Sequence, residues 1–230
     1  LTVGHADLIL ARVADEHREK ETPAMSLTFY FAPQSTASVT TLVLEELGIP
    51  CERVKLDIRN GDTKKPEFLK INPNGCVPTI VHDGVAIWES VAITIYLGET
   101  FGEKAKLWPA AGPKRGEAMK WLVWTHVTLG EAVYRWARNT MWSPEEERNA
   151  NAATAASKDI ARHLRVLDDA LRERAFLTGE YTLADAHVSS FVDWLRQMKI
   201  DMAGLERLGA WSKRCSERPA YARAEERENG

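Results

Sequence analysis

The stretch NPNGCVPTIVHDGVAIWES, residues 72–90, holds two short apolar runs, a turn between them, and a proline where the first run should begin. VPTIV and VAIW read as strands. His82-Asp83-Gly84 joins them, and an Asp-Gly pair suits the left-handed backbone of a tight hairpin turn. Pro78 cannot donate to a ladder, so it belongs at a strand start or on an edge. ESVAITIYLGETFG follows as a helix whose start Ser90 can cap.

Upstream, LTFYF (27–31) is aromatic enough for a buried strand. TASVTTLVLEELG then sets Val39, Leu42, Val43 and Leu47 on one helical stripe and stops at Gly48. VKLDI (54–58) alternates as a half-buried strand, RNGDTKK is a polar turn, and PEFLKIN is a short irregular helix at most. The order is βαβ, a loop, a β-hairpin and a helix.

Downstream, Pro109, Gly112 and Pro113 mark a linker, and everything beyond reads as helix. RGEAMKWLVWTHVTLGEAVYRWARNTMW predicts one long helix. Ser143-Pro144-Glu145-Glu146 has the pattern of a capping box opening the next, whose stripe is Ile160, Leu164, Leu167 and Leu171. Thr182-Leu183-Ala184-Asp185 repeats that cap logic, and a last helix holds Trp211 and Cys215. The expected fold class is α/β plus all-α. Residues 1–25 read as an N-terminal extension outside the core fold, with Met25 a natural start. Residues 26–102 form the α/β domain, 103–114 the linker and 115–230 the all-helical domain.

Composition narrows the function. No apolar run approaches the roughly 20 residues that cross a bilayer, and the N-terminus has no basic start followed by an apolar segment. A net charge of −3 with mixed signs gives no electrostatic reason to expect nucleic acid or an anionic membrane. Three cysteines, Cys51, Cys76 and Cys215, form no C-x-x-C, which suits reduced thiols in a cytoplasmic location. Six histidines show no metal-ligand spacing, so no metal is expected.

Residues 72–90 closely resemble the thioredoxin-like domain of the cytosolic glutathione transferases, and the likeness extends over residues 27–225. The resemblance implies a cis bond before Pro78, which turns the Val77 backbone towards a ligand. Glutathione, an extended tripeptide, would then pair with Val77 like an added strand. It also implies that Ser90 and the start of its helix hold the γ-glutamyl carboxylate, while Glu89 accepts from the α-ammonium. Lys64 matches the lysine that meets the glycyl carboxylate, with Lys65 beside it. Cys76 replaces a glutamine found in several classes, which implies the loss of that side chain's hydrogen bond to the γ-glutamyl part.

The chemistry such a site serves is thiolate attack. A thiol near pKa 8.5 is mostly protonated at neutral pH, and lowering it by about 2 units takes roughly 2.7 kcal/mol of anion stabilisation. One or two hydrogen bonds to the charge, at about 1.5–3 kcal/mol each, suffice. Ser35 and Thr36, after Pro33 and at the start of the first helix, are the candidate catalytic donors. The P-x-S-T pattern resembles the serine-type phi and theta-like classes and favours Ser35, with Thr36, a backbone N–H or a purely capping role as alternatives. Tyr30 lies inside the strand, and cysteine is absent from the segment.

The resemblance implies glutathione as co-substrate, an apolar electrophile as partner, a homodimer, and an aryl or alkyl transfer that serves detoxification. A disulfide reductase or peroxidase of the same fold and a non-catalytic ligand-binding protein are the alternatives. Trp121, Trp124 and His126 are candidates for the electrophile pocket, although aromatic residues at helical spacing also build cores. His126 reads as structural in preference to polarising an electrophile; His163 and His187 also read as structural, and Asp185 as a cap.

Overall fold

In the computed structural model, which describes residues 27–229, the extension expected over residues 1–25 lies outside the described residues. The α/β half runs β1 (Leu27–Phe31), α1 (Ser38–Leu47), β2 (Glu52–Lys55), α2 (Pro66–Leu69), β3 (Thr79–His82), β4 (Val85–Trp88) and α3 (Ser90–Leu97). The sheet order is β2-β1-β3-β4, with β1 parallel to β2 and the remaining pairs antiparallel. This is the expected βαβ plus hairpin. Asp83 and Gly84 both take positive φ, 48° and 81°, as a two-residue hairpin turn requires. Strand β2 ends earlier than its alternation suggests, because Asp57 Oδ1 accepts the N–H groups of Arg59 and Asn60 and turns the chain.

The helical half comprises α4 (Pro113–Trp124), α5 (Gly130–Ala137), α6 (Ala150–Ala170), α7 (Leu183–Gln197), α8 (Glu206–Ser216) and α9 (Pro219–Asn229). The long helix expected after the linker is interrupted by π-helical turns at Thr125–Leu129 and Arg138–Trp142. The box at Ser143-Pro144-Glu145-Glu146 does not open α6. It leads into a 3₁₀ turn at Glu145–Glu147, and Asn149 is the true cap, its side chain accepting the Ala152 N–H at 3.0 Å. At Thr182 the expected cap is real: Asp185 accepts the Thr182 N–H at 3.0 Å. No helix among the described residues is long and apolar enough to cross a membrane.

Two apolar clusters meet at α1. Leu42, Val43 and Leu44 pack with the sheet, α3 and Trp108, whereas Val39 packs with Trp121, Leu164, Phe191 and Trp211 of the helical half. A helix buried on both sides ties the halves together, and its first turn, at Ser38, sits at the seam between them. Trp108 reaches the first cluster over Gly98, where a Cβ would come within 2.5 Å of the indole.

Candidate functional site

Strand register assembles the site. Thr79 pairs with both Tyr30 and Trp88, so the residues before β3, after β1 and after β4 converge at one end of the sheet. Val77 thereby lies beside Ser90 and close to the turn that opens α1. The Val77–Pro78 bond is cis. Val77 stays outside the ladder: its carbonyl accepts the Thr36 hydroxyl at 3.0 Å, and its N–H has no partner among the described residues.

The loop that presents Val77 is built by Asn72, which is almost fully buried. Its Nδ2 donates to the Cys76 carbonyl at 2.8 Å and to Thr79 Oγ1 at 3.0 Å, while its Oδ1 accepts the Asn74 N–H at 3.0 Å. Gly75 is required in this loop, since φ is +60° and a Cβ would stand 2.7 Å from the Thr63 carbonyl. Lys64 Nζ donates to the Gly75 carbonyl at 2.9 Å, which holds its charge beside the loop, while Lys65 pairs instead with Asp62 at 2.7 Å. Cys76 is an exposed free thiol. At the other edge, Glu89 adopts φ 71° and ψ 116°, an unfavourable backbone for a residue with a side chain, and precedes α3, whose start has no side-chain cap. Ser90 is buried at the first position of α3 rather than capping it, so N–H groups at this terminus remain available to an anion.

At the start of α1 the hydroxyl groups already have partners. Ser35 Oγ donates to the Ala32 carbonyl at 2.7 Å and accepts the Ala37 N–H at 3.1 Å. Sequence reasoning missed Glu228 of α9. Its carboxylate accepts from the Gln34 N–H, Ser38 Oγ and Thr41 Oγ1, each at 2.9 Å. Gln34 holds a positive φ of 55° as its N–H meets that carboxylate. No local signal joins a residue near the C-terminus to one almost two hundred positions earlier.

A cavity of about 240 Å³ opens here between α1, α7 and α9, lined by Ser35, Thr36, Val39, His126, Phe191 and Glu228 among others. Of the three residues expected in the electrophile pocket, only His126 lines it. Trp121 is buried in the second core, and Trp124 packs edge-on against Trp121 and His163. His126 Nε2 lies 2.6 Å from His187 Nε2, and His187 Nδ1 lies 2.8 Å from Thr94 Oγ1 on α3. Burial pushes the His126 pKa down to about 4, and burial with the neighbouring His126 holds fully buried His187 well below its ordinary value. Both rings are therefore neutral near pH 7. Among the described residues, no group of three or more His, Cys, Asp or Glu side chains is arranged to hold a metal ion.

Comparison with known proteins follows the same outline. Residues 25–99 match the family model for the glutathione S-transferase N-terminal domain, and residues 120–219 match that for the C-terminal domain. Glutathione S-transferase GstB of Escherichia coli (strain K12) is 32% identical over 182 residues, covering 78% of this chain and 87% of the relative. The glutathione transferase URE2P6 of Phanerochaete chrysosporium, solved with oxidized glutathione, superposes with a TM-score of 0.81 at 27% identity, covering 90% of this chain and 97% of its own. The theta class glutathione S-transferase of Xanthomonas axonopodis pv. citri, solved with glutathione bound, gives a TM-score of 0.77 at 28% identity over 87% of this chain and 97% of its own.

Proposed function

This chain belongs to the glutathione S-transferase family, and from that premise we propose that it binds glutathione along residues 35–90 and directs the thiolate at an apolar electrophile. The observation that carries the reading is the free Val77 N–H, set by strand register between the start of α1 and the uncapped start of α3. An extended tripeptide laid across that end of the sheet pairs its cysteinyl backbone with Val77. Its γ-glutamyl carboxylate then meets Ser90 and the α3 terminus, with Glu89 at the α-ammonium, and its sulfur reaches Ser35 and Thr36. Lys64 lies on the glycyl side, and Cys76 sits next to the paired residue. The electrophile occupies the cavity shared by Ser35, Thr36 and His126.

In this reading Ser35 is the first thiolate donor and Thr36 the second, and either must turn its proton from a carbonyl to the sulfur. A hydroxyl can do so by rotating one torsion, because an anion is a stronger acceptor than a neutral carbonyl. The protein acts as a cytoplasmic homodimer. Calorimetric binding of glutathione, followed by turnover of Ser35→Ala and Thr36→Ala, tests the assignment. At least one variant should lose about tenfold or more in kcat/KM, the value of one hydrogen bond to a charge. Full activity in both, with glutathione still bound, removes the hydroxyls from the mechanism.

A second reading, a glutathione-dependent disulfide reductase, draws support from the relative solved with oxidized glutathione. Faster turnover of a disulfide than of an aryl halide would select it. A binding protein without turnover is the third, supported by both hydroxyls donating to main-chain carbonyls.

A further inference from the structure

His126 meets the cavity through a hydrogen-bond chain that starts in the other half of the molecule. Thr94 is fully buried on α3, and its hydroxyl has one partner, His187 Nδ1 at 2.8 Å. If His187 donated there, the Thr94 proton would be sealed in the core unpaired, the more costly arrangement. Thr94 therefore donates, and His187 carries its proton on Nε2. That proton can go only to His126 Nε2, 2.6 Å away, because two nitrogens of neutral rings share one hydrogen. The His126 proton is then on Nδ1. Among the described residues Nδ1 has no partner, and it is not among the polar atoms shut off from solvent. The opening beside His126 is the cavity that Ser35 and Thr36 also line. His126 sits in the π-helical turn Thr125–Leu129, an interruption that recurs at functional sites.

We propose that His126 Nδ1–H is a fixed donor to the second substrate, and that it favours an α,β-unsaturated carbonyl compound over an alkyl halide. This rests on the glutathione reading above and names the substrate class of that site. The glutathione sulfur bonds to the β-carbon, and the carbon–carbon π pair moves through the conjugated system onto the carbonyl oxygen. The resulting enolate takes a proton from water at its α-carbon, replacing the one the thiol released, so atoms and charge balance. Negative charge develops on an oxygen, which is where a pre-set donor on an apolar wall of Phe191 and Val39 stabilises most. An alkyl halide places its charge on the leaving halide and gains nothing comparable. Burial keeps His126 neutral, with a pKa of about 4, so it donates without bringing a cation into the cavity. His187 and Thr94 are positioning residues that set the tautomer.

Two measurements on the full chain test this. Nitrogen-15 imidazole spectra should show the His126 proton on Nδ1, and Thr94→Val should redistribute it between the two nitrogens. A proton on His126 Nε2 in the wild type overturns the proposal. Calorimetry with glutathione, S-butylglutathione and S-(3-oxobutyl)glutathione provides the second arm. The keto conjugate should bind about tenfold more tightly than the alkyl one, one hydrogen bond's worth, and His126→Phe should bring that ratio to about one. Thr94→Val, which leaves His126 in place, should lower the same ratio. Glutathione binding with no keto preference sinks this inference alone. Failure of glutathione itself to bind sinks the underlying reading and this one with it.

Discussion

Glu228 shows how a single carboxylate can set the chemistry of a terminus far away in the chain. It draws on the Gln34 N–H and the hydroxyls of Ser38 and Thr41 at the first turn of α1, where a helix terminus favours anions. A thiolate delivered to Ser35 or Thr36 would arrive beside this charge, and like charges disfavour one another's ionised forms. Glu228→Gln keeps the shape and removes the charge. The pKa of bound glutathione should then fall, by about 1 unit for a like charge within a few ångströms. Ultraviolet titration of the thiolate in the binary complex measures it, and an unchanged or higher value shows that the carboxylate does not compete. Residues of the site differ in how openly the sequence displays them. Val77, Pro78, Glu89 and Ser90 belong to one local motif, in which an Asp-Gly turn and a proline at a strand start fix the hairpin without help from the rest of the chain. Asn72 lies hidden in the same motif, and Glu228 has no neighbour in sequence to reveal it.

At the scale of elements, the same four-residue pattern occurs twice with different outcomes. Ser143-Pro144-Glu145-Glu146 and Thr182-Leu183-Ala184-Asp185 both look like helix starts, yet only the second opens an α-helix directly. The difference is tertiary. Asp185 is fully buried and also accepts the Leu177 N–H and Trp211 Nε1 at 2.9 Å each, so packing fixes the cap. The glutamates at 145–147 are exposed, and Asn149 captures the helix start instead. Asp185→Ala leaves the Leu177 N–H, the Thr182 N–H and the Trp211 indole without partners. At about 1–3 kcal/mol for each buried unsatisfied donor, the loss should reach at least ~3 kcal/mol. Glu146→Ala should stay within about 0.5 kcal/mol. Urea unfolding of both variants checks the contrast; equal losses would mean the box pattern alone, not burial, carries the stability. Helix existence is thus readable from periodicity, but the π-helical turns are not. A π-helical turn adds one residue to the register without any marker residue of its own, and the one at Thr125–Leu129 holds His126.

Over the whole molecule, the order of α/β half and helical half is plain from the change in period and the linker prolines, whereas what clamps α9 over the cavity is not. The clamp is a row of charges on α1. Glu46, whose side chain is 3% exposed, takes a bidentate pair from Arg218 at 2.7 Å for both contacts, and the Tyr181 hydroxyl at 2.8 Å. The Arg218 guanidinium also lies over the Tyr181 ring at 3.7 Å. Glu45 meets Arg53, Arg223 and Arg227, but the last two are about half exposed, where solvent weakens such pairs. One clamp is therefore strong and the others are weak. Arg218→Ala strands a buried carboxylate with a single hydroxyl and should cost roughly 3 kcal/mol, whereas Arg223→Ala should cost under about 1 kcal/mol. Because Tyr221, Ala224 and Glu228 of α9 line the cavity, loosening Arg218 should also open it. Amide hydrogen exchange along residues 219–229 should quicken in Arg218→Ala well before that in α7, which α8 and α1 continue to hold. Uniform acceleration across both helices would mean that α9 is not held locally by this pair and that the halves unfold as one unit.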